Sequence, residues 1–174
     1  NWMIWMVHRT YLNEPSLLKL DFTNLKMPPG HIEARVSPKL SVAMEGNTHM
    51  EQLLLGCSNL GDAEAAVMAV SLRSNSTLQV LNIDTNKLQP LTVESLAKGT
   101  SVNQTLRELR CNNTASGRLV TEALLAALKS NASLCKLGYG VTDPYLRGEV
   151  DKQITRNNDA ARKKRLEEKR RLES

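Results

Sequence analysis

A repeat of 28 residues constrains the fold of this chain more than any other feature of its sequence. Four phrases that open with asparagine recur at this interval, at Asn47, Asn75, Asn103 and Asn131. The apolar residues that follow are clearest in one unit, with Leu78, Leu81, Ile83, Asn86 and Leu88 in order. That order fits the leucine-rich-repeat template at every position. A looser unit with Leu17, Leu20, Phe22 and Leu25 comes first, which makes five units.

Each unit combines a short strand with a helix. The leucine-x-leucine pair has the period of two that points alternate side chains of a strand inward. The remaining residues show helical spacing, as in 62–72, with Ala66, Val67 and Val70, and in 119–128, with Leu124, Leu125 and Leu128. Such a unit cannot bury its apolar face alone, so neighbours must stack.

We therefore predict an α/β leucine-rich-repeat solenoid of about five strand-helix units. A parallel sheet lines its concave face, helices form its convex face, and a C-terminal helix caps it. The repeating asparagines are predicted to end each helix in left-handed geometry and to offer their amides to the turn. Trp2 and Trp5 are expected to cover the open end of the first unit.

The C-terminal segment differs from the repeats. The phrase Ile154–Asp159 repeats the helix ending, yet no leucine-x-leucine pair follows, and 160–172 is rich in strong helix formers. An open solenoid end needs a polar cap. We predict a leucine-rich-repeat domain over 1–148 and a basic capping helix over 149–174.

The positive charge is concentrated in that segment. The net charge is +5, and Arg162–Ser174 holds seven basic and three acidic residues, so 7 − 3 = +4 lies there. Three interpretations of this run remain open: a solvated helix end, a nucleic-acid contact, or a contact with an acidic protein surface. Nucleic acid is disfavoured because no aromatic residues interleave with the cations and Glu167 and Glu168 interrupt them.

Enzyme chemistry has no motif to support it. The sequence lacks a phosphate-binding glycine loop, a G-x-S-x-G elbow and an H-E-x-x-H pair. Cys57, Cys111 and Cys135 are widely spaced and odd in number, which disfavours disulfides and zinc sites. We predict a protein with no catalytic activity, no cofactor and no metal, in a reducing cytoplasmic setting. No stretch is long enough to span a bilayer, so no membrane association is expected.

Several phrases resemble those of one family, the tropomodulins and the related leiomodins. They run in family order from about residue 10 to 165: Asn13–Leu17, Gly46–His49, Leu78–Asn86, Lys136–Tyr139, Ile154–Asp159 and Arg162–Arg165. The lysine-leucine-glycine-tyrosine strand followed by the basic helix is the more specific part of the likeness.

The resemblance implies a C-terminal actin-binding domain that docks at the pointed end of actin filaments through loops at one edge of the solenoid and through the terminal helix. The residues it implies as actin contacts are Lys87, Arg118, Lys136, Tyr139, Arg147, Arg162, Lys163, Lys164 and Arg165. Tropomyosin contact belongs to segments of the family outside this chain, which starts with asparagine and is expected to be a piece of a longer protein. We expect a cytoskeletal monomer with no nucleic-acid partner.

The chain departs from the family pattern at Lys87, where an aromatic residue is usual, and at 112–114, where a basic loop residue is usual. Two alternatives stay open. One is leiomodin-like actin nucleation. The other is a generic repeat scaffold that binds a partner through its concave face, which predicts exposed Asn82, Glu108 and Cys135.

Overall fold

A computed structural model describes residues 1–173. The five strands are β1 (Lys19–Asp21), β2 (Gln52–Leu54), β3 (Val80–Asn82), β4 (Glu108–Arg110) and β5 (Lys136–Gly138). The six helices are α1 (Trp2–Tyr11), α2 (Ser37–Gly46), α3 (Asp62–Ser74), α4 (Pro90–Val102), α5 (Arg118–Ser130) and α6 (Pro144–Leu172). The strands form one parallel sheet in chain order, which confirms the predicted solenoid of five strand-helix units.

The central leucine of each strand is aligned with the next one along the sheet. Leu53 pairs with Leu81, and Leu81 pairs with Leu109. All three side chains are almost completely buried and face the helices. The first unit is longer than the others, because Leu20 pairs with Leu53 and lies more than 28 residues before it. The period of two within each strand therefore determines which residues form the core.

The repeating asparagines end the helices in extended geometry, so the prediction of left-handed backbone at these positions is wrong. The φ angles of Asn75 and Asn103 are −65° and −69°. Each side-chain oxygen accepts hydrogen bonds from the amides two and three residues later, a turn that needs an extended backbone at the asparagine. The left-handed residues instead follow the strands, at Cys57, Thr85 and Asn113.

The amide nitrogens of these asparagines connect neighbouring units, so their predicted use of the amide is confirmed and extended. The Asn103 amide donates to the carbonyls of Leu72 and Asn75 at 2.7 and 2.8 Å. Asn131 donates to the Asn103 carbonyl at 2.7 Å, and Asn157 of α6 donates to the Asn131 carbonyl at 2.9 Å. We call this series of asparagines, Asn47, Asn75, Asn103, Asn131 and Asn157, the asparagine ladder.

The helix faces were predicted with mixed success. In α5 the buried side chains include Leu124, Leu125 and Leu128, as expected. In α3 the buried apolar residues are Ala65, Met68, Ala69 and Leu72, whereas Ala66, Val67 and Val70 are exposed. Apolar residues occur nearly all round α3, so its sequence is compatible with the burial of either of two faces. Packing between α2 and α4 selects one of them.

Helix α6 begins at Pro144, five residues before the expected boundary at 149, and continues through Asn157. Asp143 caps its first turn by accepting hydrogen bonds from the amides of Tyr145 and Leu146 at 2.9 and 3.1 Å. Leu146, Val150, Gln153 and Asn157 are buried against the last unit. The helix does not end at Asn157 because the chain forms no further strand that would require a turn.

Helix α1 covers the first unit mainly through Met6 and Val7, which are buried. Trp2 contacts the Phe22 ring at 5.5 Å between centroids, but Trp2 and Trp5 remain 52% and 55% exposed. The expectation that the two tryptophans cover the open end is therefore only partly met, because Met6, Val7 and Thr10 form the buried face of α1 and the tryptophans lie at its margin.

Candidate functional site: two protein-binding surfaces

Seven of the nine predicted contact residues fall on opposite edges of the solenoid. All strands are parallel, so the loops that leave them share one edge, and the helices return the chain to the other edge. Lys87, Arg118 and Arg147 lie at or beside the ends of the strand-to-helix loops, and we call this the loop edge. Arg162–Arg165 lie on α6 beyond the opposite edge.

The basic part of α6 projects away from the repeats. The helix has 29 residues, which corresponds to about 44 Å at about 1.5 Å per residue. Its last described contact with the sheet is the Asn158 amide, which donates to the Cys135 carbonyl at 2.9 Å. From Arg162 to Glu173 every side chain is exposed. We call Arg162–Arg171 the basic projection.

The basic projection and the starts of the strands border an open cleft of about 890 Å³. Lys164 and Arg165 line one side, and Arg107 and Ser133 belong to the other. The ion pair of Lys163 with Glu167 spans 4.0 Å between exposed side chains, 80% and 64% accessible. Such a pair contributes little to stability, so Lys163 remains available to a partner.

The three cations of the loop edge differ in how strongly contacts within the chain hold their side chains. Lys87 is exposed. The Arg118 guanidinium donates to Glu122 at 2.7 Å, and both side chains are open to solvent. The Arg147 guanidinium donates twice to the Val141 carbonyl, at 2.6 and 3.1 Å. Arg147 therefore stabilises the loop between β5 and α6, and it also places a positive charge at the loop edge.

The other two predicted contact residues, Lys136 and Tyr139, lie away from both edges, and their polar groups are either paired or buried. The Lys136 ammonium lies 3.1 Å from Glu108 on the concave face, where Arg110 also donates to that carboxylate. Burial alone would raise the pKa of Glu108, but the hydrogen bonds from Arg110 and Lys136 lower it below its usual value. The Tyr139 hydroxyl is buried without a hydrogen-bond partner among the described residues, so this polar group is not exposed to a partner in the present arrangement.

The three strand residues that a generic scaffold predicts to be exposed differ in their contacts. Asn82 is 8% exposed, and its side-chain oxygen accepts from the Asp84 amide at 2.9 Å. Glu108 is held between two cations, and Cys135 is half-buried. Asn82 and Glu108 are thus engaged within the fold, whereas Cys135 remains partly accessible.

The three thiols are free, and they differ in accessibility. Burial, with a smaller effect of the Asp84 charge, raises the pKa of the Cys111 thiol to about 12. Cys57 and Cys135 are partly accessible. We expect a disulfide-exchange reagent at pH 8 to label two thiols in the native protein and the third only after denaturation. Rapid labelling of all three would contradict the burial of Cys111.

Sequence reasoning missed three residues of the loop edge, Leu91, Leu119 and Tyr145, which are 76%, 71% and 74% exposed. Each is the second residue of its helix. The sequence did hold a signal for two of them, because Leu91 and Leu119 are 28 residues apart and therefore occupy equivalent positions in consecutive repeats. Within residues 1–173 there is no group of three or more potential metal ligands, and no helix has the length and apolarity needed to cross a membrane.

Comparison with known proteins gives consistent matches. Residues 5–160 match the family described as the TMOD/LMOD leucine-rich domain. Tropomodulin-4 of Bos taurus is 32% identical over 129 residues, which cover 73% of this chain and 37% of that protein. Leiomodin-1 of Homo sapiens is 29% identical over 167 residues, covering 94% of this chain and 27% of that protein. The chain thus spans less than half the length of these relatives.

Two solved structures share the architecture. One is described as leiomodin-1 actin-binding site 2, with a TM-score of 0.88 and 28% identity, covering 97% of this chain and 96% of that one. The other is a tropomodulin C-terminal domain of Caenorhabditis elegans, with a TM-score of 0.86, 24% identity and coverage of 95% and 99%. The second likeness concerns the fold alone.

Proposed function

The chain belongs to the tropomodulin and leiomodin family, and on that basis we propose that this leucine-rich domain binds actin and contributes to capping filament pointed ends. The observation that carries the proposal is the basic projection. It extends a helix well past the last repeat, where the fold needs no further cover. Cations held in this way can steer and orient a partner with an acidic surface.

The similarity to leiomodin-1 supports the choice of partner. One solved structure that matches nearly the whole chain is described as an actin-binding site. The same similarity supports a second candidate, leiomodin-like actin nucleation, because this domain resembles tropomodulins and leiomodins to a similar degree.

The separation of the two surfaces supports a filament end as the target. Tyr145 and Arg162 lie on one helix, 17 residues apart, which is about 25 Å. A partner that touches the loop edge and the basic projection together must extend around the solenoid. We propose that neighbouring subunits at a filament end together supply such a surface.

The proposal extends to the domain's oligomeric state, location and other ligands. We propose a monomeric, non-catalytic domain of the cytoplasmic actin cytoskeleton that uses no cofactor and binds no nucleic acid. Tropomyosin is expected to bind only through segments outside this chain.

Cosedimentation with actin filaments over a salt series tests the proposal, alongside pointed-end elongation from filaments capped at the other end. We expect binding that weakens steeply between about 0.05 and 0.3 M salt, because the Debye length falls toward about 6 Å over that range. We also expect elongation to slow as the domain is added. Absence of cosedimentation at low salt would refute the proposed function.

A further inference from the structure

The outward side of helix α1 carries an exposed apolar stripe at the first end of the solenoid. Trp2, Trp5 and Leu12 are 52%, 55% and 63% exposed. Together with Arg9 they follow at intervals of three, four and three residues, which places them along one side of the helix. Leu12 continues the helical geometry, with φ −73° and ψ 0°, so it belongs to the same side. We call these four residues the α1 stripe.

The fold buries a different side of α1. The helix packs on the first unit through Met6, Val7 and Thr10. At about 100° per residue, the α1 stripe is centred about 130° around the helix from these three residues. A single exposed apolar residue is ordinary on a protein surface, but a row that contains both tryptophans of the chain is typical of an interaction site.

Contacts within the chain already order the large side chains of the α1 stripe. The centroid of the Trp2 ring lies 5.5 Å from that of the buried Phe22 ring. The Arg9 guanidinium lies 4.8 Å from the centroid of the Trp5 ring, and it donates hydrogen bonds to Glu14 at 2.5 and 2.6 Å. Side chains that are held before binding lose less conformational entropy when a partner docks.

The charge beside the α1 stripe is positive. Helix α1 contains no acidic residue, and Arg9, chiefly through its hydrogen bonds, lowers the pKa of the nearby Glu14 to about 2. The Lys39 ammonium lies 3.1 Å from His8 Nδ1 and 4.5 Å from the centroid of the Tyr11 ring. Neither contact neutralises the Lys39 charge. A partner that carries carboxylates beside its apolar groups therefore complements this surface.

The spacing of the α1 stripe indicates which kind of element docks there. Side chains at alternating intervals of three and four residues fit the holes between the side chains of a facing helix. An extended strand presents its side chains at intervals of two residues and does not match them. Trp2 and Leu12 are about 15 Å apart along the helix axis, so a partner helix of about three turns covers the stripe.

We propose that the α1 stripe is a docking face for an amphipathic helix of a partner protein, one whose apolar side is flanked by acidic residues. Trp5 and Leu12 supply the central apolar contact, and Arg9 and Lys39 attract the acidic flanks.

The location of the α1 stripe makes this binding independent of the proposed function. Helix α1 precedes β1, the first strand of the sheet, whereas the basic projection follows β5, the last one. These outer strands are about 19 Å apart, at about 4.8 Å for each step across the sheet. The domain can therefore hold actin through the basic projection and a helical partner at its first end.

A synthetic peptide tests the inference. The probe is a helical peptide of about 18 residues without tryptophan, with leucines at intervals of three and four residues and glutamates on both flanks. One control peptide has lysines in place of the glutamates, and another has the same composition in scrambled order. Trp2 and Trp5 are the two tryptophans of this chain, so its intrinsic fluorescence reports on the α1 stripe directly.

We expect the acidic peptide to shift the tryptophan emission to shorter wavelength in a saturable way, with a Kd of about 50 µM or tighter. The lysine peptide and the scrambled peptide should each bind at least about tenfold more weakly. No saturable shift with the acidic peptide up to about 1 mM, or equal binding by either control peptide, would overturn the proposal.

Two double variants locate the contact. Trp5→Ser with Leu12→Ser removes the centre of the stripe, keeps Trp2 as the reporter, and should weaken binding of the acidic peptide by about tenfold or more. Val70→Ser with Val102→Ser removes apolar residues of the convex face that are 59% and 48% exposed, and should leave binding unchanged. Leu12→Ser alone, at the most exposed position of the stripe, should weaken binding about threefold while the melting temperature stays near that of the parent.

Two further measurements separate other occupants of the stripe. If sedimentation equilibrium finds a dimer of the parent that the Trp5→Ser and Leu12→Ser variant loses, a second copy covers the stripe and the proposal is overturned. That variant should cosediment with actin filaments like the parent, and a loss there would also overturn the proposal. If the parent itself does not bind actin, the proposed function falls, whereas binding of the acidic peptide at the stripe still supports this inference.

Discussion

Reversing the charge of Arg162, Lys163, Lys164 and Arg165 to glutamate is expected to weaken binding to actin filaments by roughly 100-fold or more. The change replaces four attractive charges of the basic projection by four repulsive ones. These side chains are exposed, and the Arg165 guanidinium donates only to its own helix, to the Ala161 carbonyl at 3.3 Å. Circular dichroism and thermal melting should therefore barely change, since exposed ion pairs contribute only about 0–1 kcal/mol each.

A matched variant controls for net charge. Reversal of Arg73, Lys98, Lys129 and Lys152 changes the charge by the same amount at exposed positions away from the basic projection. We expect this control to lose far less affinity, because its four charges are spread over α3, α4, α5 and α6 and are not concentrated on the projecting segment. If the basic-projection variant cosediments like the parent, the terminal helix serves only to cap the solenoid.

Replacing Asn103 by alanine is expected to lower the free energy of unfolding by about 3–5 kcal/mol. The side chain is 1% exposed. Its amide donates to the carbonyls of Leu72 and Asn75, and its oxygen accepts from the amides of Thr105 and Leu106 at 2.9 and 2.7 Å. Alanine leaves these backbone groups buried without partners, and each such loss costs about 1–3 kcal/mol before water or small movements compensate.

Urea denaturation followed by circular dichroism measures this loss. Because each repeat is stabilised by its neighbours, the weakened ladder should also broaden the transition. The neighbouring Gln104→Ala is the control, since Gln104 is exposed and its amide only donates to the Val102 carbonyl at 3.3 Å. Equal denaturation midpoints for the two variants would mean that the asparagine ladder does not stabilise the stack.

Much of the architecture could be predicted from the sequence, because the patterns that indicate it are local and repeated. Alternation within each strand identified Leu53, Leu81 and Leu109 as core residues. The interval of 28 residues predicted the parallel pairing of these leucines, since identical units stack in register. The phrases of the terminal segment indicated the family, which the match over residues 5–160 confirms.

The sequence by itself thus determined the repeat, the inward face of each strand and the concentration of charge near the C-terminus. Only the tertiary structure decided which face of α3 is buried, that α6 runs on past Asn157, and that the basic projection lies at the opposite edge from Arg118 and the exposed Leu119. The physical reason is that periodicity reports a residue's place within its own unit. Exposure at an edge, and the bonds from one asparagine to the carbonyl of another 28 residues away, arise only when the units stack.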